Sequence, residues 1–161
     1  MRKAAIAIAL LAFSMGPPQA KVVNCSMTAE GMVDVFLQGN EVRAAYPQVL
    51  VFDRDGGLVF NAVGGSTAPV VQAIHRHAKS NAPRVEPFAA YLRTADGKPV
   101  DPASLKGTAT VVELGASWCR PCHAMESELR RLTGITLLLV DADTAKHTDE
   151  IQVALKKRLG R

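Results

Sequence analysis

Apolar residues recur along this chain with two different periods, and the change from one to the other marks out the elements. "ITLLLVDAD" (135–143) is a continuous apolar run, as expected of a strand covered on both faces. "TATVVELGAS" (108–117) reads as a second buried strand. Between them Cys122, Met125, Leu129 and Leu132 fall three or four residues apart, which predicts a helix that Gly134 ends. Thr148 caps a last helix, with Asp149 and Glu150 in its first turn and Ile151, Leu155 and Leu159 as its apolar stripe. Residues 108–160 are therefore a strand–helix–strand–helix unit whose two strands should lie parallel.

Upstream the pattern is of another kind. Residues 21–31 show no clear period, and "MVDVFLQ" (32–38) alternates well enough to predict a strand closed by Gly39 and Asn40. "YPQVLVFDRDGGLVFNAVGG" (46–65) predicts a hairpin, two β-branched runs around the turn "DRDGG". Asp53 and Asp55 in that turn lack the later ligands and terminal acid of a calcium loop, so a turn is the better reading. "STAPVVQAIHRHAK" (66–79) has Ser/Thr caps, Pro69 in the first turn and Val70, Val71, Ile74 and Ala78 at helical spacing. His75 and His77, two residues apart, cannot share one helical face, which speaks against a metal pair. Residues 80–107 form a connector, with a short hairpin predicted in "FAAYLRTADGKPV" (88–100) turning at Asp96–Gly97.

Charge and the N-terminus change the setting. Arg2 and Lys3 precede "AAIAIALLAF", and "SMGPPQA" then supplies small and turn-forming residues. That is the layout of a secretory signal peptide over residues 1–20, its apolar run too short to span a bilayer. The mature chain, 21–161, is then exported to a periplasm, touching membrane only if the leader stays uncleaved. Arg2 and Lys3 supply half of the net charge of +4, and no basic run is interleaved with aromatics. Nucleic-acid binding has no support in that pattern. The basic tail "LKKRLGR" is accounted for by the dipole of a helix C-terminus.

Of the three cysteines, Cys119 and Cys122 stand in "GASWCRPCHAM", and Cys25 is a spare, expected to be a flexible N-terminal thiol or else a third redox partner. A strand leads into a helix that begins at Cys119. A thiolate there meets unpaired backbone N–H groups and the positive end of the helix dipole, so its pKa falls. Arg120 acts in the same sense, and Pro121 suits the first turn. Cys119 is accordingly the attacking and more exposed thiol, and Cys122, one turn on, resolves the mixed disulfide. Two alternatives use the same residues. "CRPCH" also fits covalent haem attachment with His123 as axial ligand, although a redox loop better suits its place between two strands, with Trp118 and Pro121. Zinc would need two further ligands that no second pair supplies.

"LRTADGKPVDPASLKGTATVVELGASWCRPCHAMESELRRL" (92–132) resembles the N-terminal half of a TlpA-like thioredoxin: a Gly-Lys turn, "SLKG", a buried strand, "ASWC-x-PC" and a helix with acidic and leucine residues. The resemblance implies that Glu113 lies beneath the cysteines, where burial raises its pKa and fits it to exchange a proton with Cys122. The family's second half does not follow residue 159. "AAYPQVLVFDRDGGLVFNAVGGSTAPVVQAIHRHAK" (44–79) resembles it instead, with Pro47 at the family's cis-proline and Tyr46 before it. The implied fold is α/β and thioredoxin-like: a mixed central sheet flanked by helices, circularly permuted so that the cis-proline half (42–79) precedes the Cys-x-x-Cys half (108–160). Halves exchanged between two chains, or an unrelated N-terminal module, are the rival arrangements.

The implied function is an exported thiol–disulfide oxidoreductase. Its catalytic residues would be Cys119, Cys122 and Glu113, with Pro47, Tyr46, Trp118 and Pro121 shaping the groove for substrate. The redox disulfide itself replaces any dissociable cofactor or metal. Its partners would be cysteine-containing exported proteins and a redox partner protein. The alternative of another class is a binding or assembly module of a secretion or conjugation apparatus.

Overall fold

The computed structural model describes residues 16–161. The basic start and the apolar run of the expected leader lie outside the described residues. Its last few are described, and Gln19 forms an isolated antiparallel bridge with Thr133. Among the described residues no helix is long and apolar enough to cross a membrane.

The chain is mixed α/β. Its order is β1 (Lys21–Met27), α1 (Ala29–Phe36), a small ribbon of β2 (Leu37–Gln38) and β3 (Glu41–Val42), then β4 (Gln48–Phe52) and β5 (Leu58–Val63). There follow α2 (Ala68–Ala73), α3 (Val85–Ala89), β6 (Leu92–Thr94), β7 (Ala109–Gly115), α4 (Arg120–Leu129), β8 (Ile135–Asp141) and α5 (Thr148–Arg158). Among the described residues the main sheet has six strands in the order β5-β4-β7-β8-β1-β6. β7, β8 and β1 run parallel, while β4 is antiparallel to β7, β5 to β4 and β6 to β1.

Side chains alternate across this sheet and divide the core in two. On one face Leu50, Phe52, Val112, Leu114, Leu138, Val140 and Cys25 pack against α1, α3 and α5. On the other, Val49, Val51, Val111, Leu137 and Leu139 pack against α2 and α4. β8 is buried along all but its last residue, which explains its unbroken apolar run. Leu137 and Leu138 are both fully buried, one on each face. Each such side chain contributes roughly 1.5–3 kcal/mol.

The parallel unit β7–α4–β8–α5 and the hairpin β4–β5 form as their periods predict. Four upstream expectations change. Residues 32–38 are largely helix, because Met32, Val33 and Phe36 share a helical stripe and Thr28 caps it through a bond from Gly31 N (3.3 Å). The patternless 21–31 contains β1, which sits inside the sheet between β8 and β6. The helix expected over 66–79 ends at Ala73, and Ala78 N instead donates to Asp53 Oδ2 (2.7 Å). The connector 80–107 holds α3 and β6. The turn at Asp96–Gly97 forms, with Thr94 N donating to Lys98 O (2.8 Å), but its second arm is only an isolated bridge, Arg93 to Pro99.

Candidate functional site

β7 delivers the chain to the site and α4 begins there. Cys119 is the N-cap of α4, with extended φ −82° and ψ 97°, and its Sγ accepts from Cys122 N at 3.2 Å. Pro121 stands in the first turn, where its missing N–H leaves no bond unmade. The two cysteines form a disulfide, S–S 2.06 Å and Cα–Cα 5.3 Å. On opening, a thiolate at Cys119 would have a backbone donor in place and the helix dipole behind it. The expected difference in exposure is absent: Cys119 is 3% exposed and Cys122 4%. Tyr46 is the reason, since its ring packs on the cluster of Ala116, Cys119 and Cys122.

Tyr46 reaches that position because β4 pairs with β7. Gln48 lies opposite Leu114, so the Tyr46–Pro47 peptide, which is cis, falls beside the end of β7 where the cysteine loop starts. Pro47 is buried, and its carbonyl already accepts from Gly64 N (2.7 Å). The Tyr46 hydroxyl donates to the Ala142 carbonyl and accepts from Thr144 N (3.4 Å), tying the loop to the end of β8. Burial above all raises the Tyr46 pKa, so the hydroxyl keeps its proton. The Tyr46 ring meets Phe36 and Trp118 edge-on, at 5.7 Å each. Trp118 itself is 64% exposed and Pro121 is exposed beside it, an apolar rim around a closed disulfide.

Behind the disulfide the site is open. Glu113 and Gly115 project from β7 on the α4 side of the sheet. Glu113 is buried, and its Oε1 has no hydrogen-bond partner among the described residues. Burial pushes its pKa up to about 7, the Glu126 carboxylate adds to the rise, and Arg130 opposes it. Gly115 has no side chain to fill the space in front of it. A Cβ there would stand 3.3 Å from Cys122 Sγ and 3.7 Å from Glu113 Oε1. The gap is part of a cavity of about 240 Å³ that also reaches Ser117, His123 and Asp141. His123 Nε2 faces Ser117 O at 3.0 Å. With both sulfurs bonded to each other, none is left for a thioether to haem in this state.

Cys25 is not the flexible thiol that the sequence suggests. It is buried in β1 rather than flexible, and desolvation raises its pKa to about 11. Its pairing partner Val140 belongs to the face carrying α1 and α5, opposite the Glu113 face, while Cys25 also borders the cavity behind the disulfide. Asp53, Asp55 and His77 come close enough to share a cation. The Asp53 carboxylate is already engaged there, accepting from Asp55 N (3.1 Å), Gly57 N (2.8 Å) and Ala78 N (2.7 Å). It is a turn, as its sequence suggests.

The structure thus gathers Cys119, Cys122, Glu113, Tyr46, Pro47, Trp118 and Pro121 at one corner. Sequence reasoning missed Gly115. The available signal was a glycine within a strand, which often marks a close approach or a space kept open. Comparison with family models, curated proteins and solved structures gives no significant match.

Proposed function

We propose that this chain is an exported thiol–disulfide oxidoreductase with a thioredoxin-like fold whose two halves are in permuted order. The observation that carries the reading is a disulfide capping a helix with an unpartnered buried carboxyl behind it. The permuted order is supported by the sheet: β4, from the first half, pairs with β7, from the second, within one chain.

In the reductive direction the pair starts as a dithiol, and the Cys119 thiolate attacks one sulfur of a substrate disulfide; that bond breaks and the other substrate sulfur leaves as a thiolate. Cys122 then gives its proton to the ionised Glu113 carboxylate and attacks Cys119 Sγ, which breaks the mixed disulfide, closes Cys119–Cys122 and releases the second substrate sulfur as a thiolate. The substrate gains the two electrons that the pair loses, and a redox partner restores the dithiol; the steps run in reverse when the substrate is a dithiol. Trp118, Pro121 and the Tyr46–Pro47 corner form the rim on which a substrate peptide would rest. Tyr46 and Trp118 must shift for Cys119 to be reached.

Burial of both cysteines favours one second reading, a binding module in which the disulfide is structural and Trp118 is the contact. Insulin reduction, compared between wild type and Cys119→Ser, separates the two. The oxidoreductase reading expects turnover that the substitution abolishes. Equal rates in both proteins would leave the binding reading.

A further inference from the structure

The two sulfurs of the disulfide differ in what can reach them. On one side Tyr46 packs on the cluster of Ala116, Cys119 and Cys122, its ring against Phe36 and Trp118 and its hydroxyl on the Ala142 carbonyl. The cavity behind the pair is lined by Cys122 and not by Cys119. Gly115 is part of its lining, and a Cβ there would press on Cys122, 3.3 Å from both its Cβ and its Sγ, and stand 3.7 Å from Glu113 Oε1. A side chain at 115 would therefore close the approach to Cys122 Sγ. Among the described residues Glu113 Oε1 is a buried acceptor with nothing to accept from.

We infer that this cavity admits a low-molecular-weight thiol, uncharged or cationic, which attacks Cys122 Sγ from behind while protein substrates use the Tyr46 side. The inference rests on the pair being a redox dithiol. In the step, the thiol gives its proton to the Glu113 carboxylate and its sulfur bonds to Cys122 Sγ. The Cys119–Cys122 bond breaks and Cys119 leaves as thiolate. That leaving group is the stabilised one, because Cys119 Sγ already accepts from Cys122 N as the cap of α4. A second thiol then attacks the outer sulfur of the mixed disulfide, so the small molecule leaves as its own disulfide and Cys122 leaves as a thiolate that takes the proton back from Glu113.

Charge selects among thiols. Glu113, Glu126 and Asp141 line the cavity, whose lining among the described residues includes no lysine or arginine. Arg130 engages Glu126 and Lys146 engages Asp141 from outside it. An anionic tripeptide such as glutathione is disfavoured by charge and by bulk. A small aminothiol is not.

Single-cysteine reactivity tests this by the reverse reaction. Cys119→Ser leaves Cys122 as the thiol facing the cavity, and Cys122→Ser leaves Cys119 behind Tyr46. Each full-length protein is treated with cystamine or with oxidised glutathione, and adducts are located by peptide mass mapping. In Cys119→Ser, Cys122 should take up cysteamine at least about tenfold faster than glutathione, and this preference should exceed that of Cys119 in Cys122→Ser. Adding Gly115→Val should slow the Cys122 reaction about tenfold and leave the Cys119 reaction unchanged. If circular dichroism shows that variant unfolded, Gly115→Ala replaces it, with a smaller slowing in the same direction. An unreactive Cys122, equal preference at both cysteines, or no effect of filling Gly115 overturns the inference. Failure of the redox-dithiol reading is seen separately, as a wild-type pair that does not open and close reversibly in dithiothreitol buffers.

Discussion

Asp53 and Glu113 are both carboxylates buried in the same sheet region, and they are used in opposite ways. Asp53, just past β4, is 5% exposed and accepts three backbone N–H bonds. Burial works against its charge, but the bonds from Ala78, Gly57 and Asp55, with Arg84 nearby, hold its pKa below the ordinary value. Glu113, on β7, is 4% exposed and leaves one oxygen unpaired, with its pKa raised to about 7. One acid is consumed by the fold. The other keeps a free oxygen, which is what supports its place in the proposed site. The difference teaches that burial alone does not raise a carboxyl's pKa; burial without compensating donors does.

The contrast can be broken most severely at Asp53. Asp53→Ala strands three donors and should cost about 4 kcal/mol in denaturant unfolding. A loss under about 1 kcal/mol would mean that the turn does not depend on the carboxylate.

Glu113 should behave in the reverse sense. Its folded state disfavours the ionised form, so stability falls as pH rises from the ordinary carboxylate value through about 7 and is flat beyond. Between pH 5 and 8 wild type should lose up to about 3 kcal/mol of stability, and Glu113→Gln should remove that slope. The same slope in both proteins would place the titration elsewhere. Asp53 has the opposite sign: its contribution is complete above the unfolded carboxylate pKa and is lost as pH falls through the lower folded value.

Smaller effects sharpen the comparison at the disulfide corner. Tyr46→Phe removes the bond to the Ala142 carbonyl and should cost about 1.5 kcal/mol while speeding reaction of Cys119 in the Cys122→Ser background. Unchanged labelling there would show that the hydroxyl does not hold the cover in place. Cys25→Ala should cost about 1 kcal/mol and leave the midpoint of the Cys119–Cys122 pair unmoved, because its side chain packs in the core of the other face. A moved midpoint would couple the two sites.

What the sequence discloses follows from where the physics is local. The Cys-x-x-Cys helix start is set by Cys119, Arg120 and Pro121 in a row. The strands on either side are largely apolar, and the hairpin carries its own turn residues. β1 is hidden because only Cys25 and Met27 of "KVVNCSM" are fully buried, so no period develops although the strand is internal to the sheet. α1 is misread because Val33, Val35 and Leu37 alternate by accident with the helical stripe of Met32, Val33 and Phe36. The cavity was beyond reach. It depends on how α4 crosses β7 at Gly115, a relation between elements that no single segment encodes. The cover over Cys119 is of the same kind, since Tyr46 is distant in sequence and is brought there by the pairing of β4 with β7.

The central claim is that Cys119 and Cys122 are a working redox couple and Cys25 is not part of it. Equilibration of the full-length protein across a series of reduced and oxidised dithiothreitol, with acid quenching and mass mapping of alkylated cysteines, tests it most directly. The account predicts one reversible two-electron transition in which Cys119 and Cys122 change together while Cys25 stays a thiol throughout. A pair that never opens, or a transition that carries Cys25 into a disulfide, contradicts it.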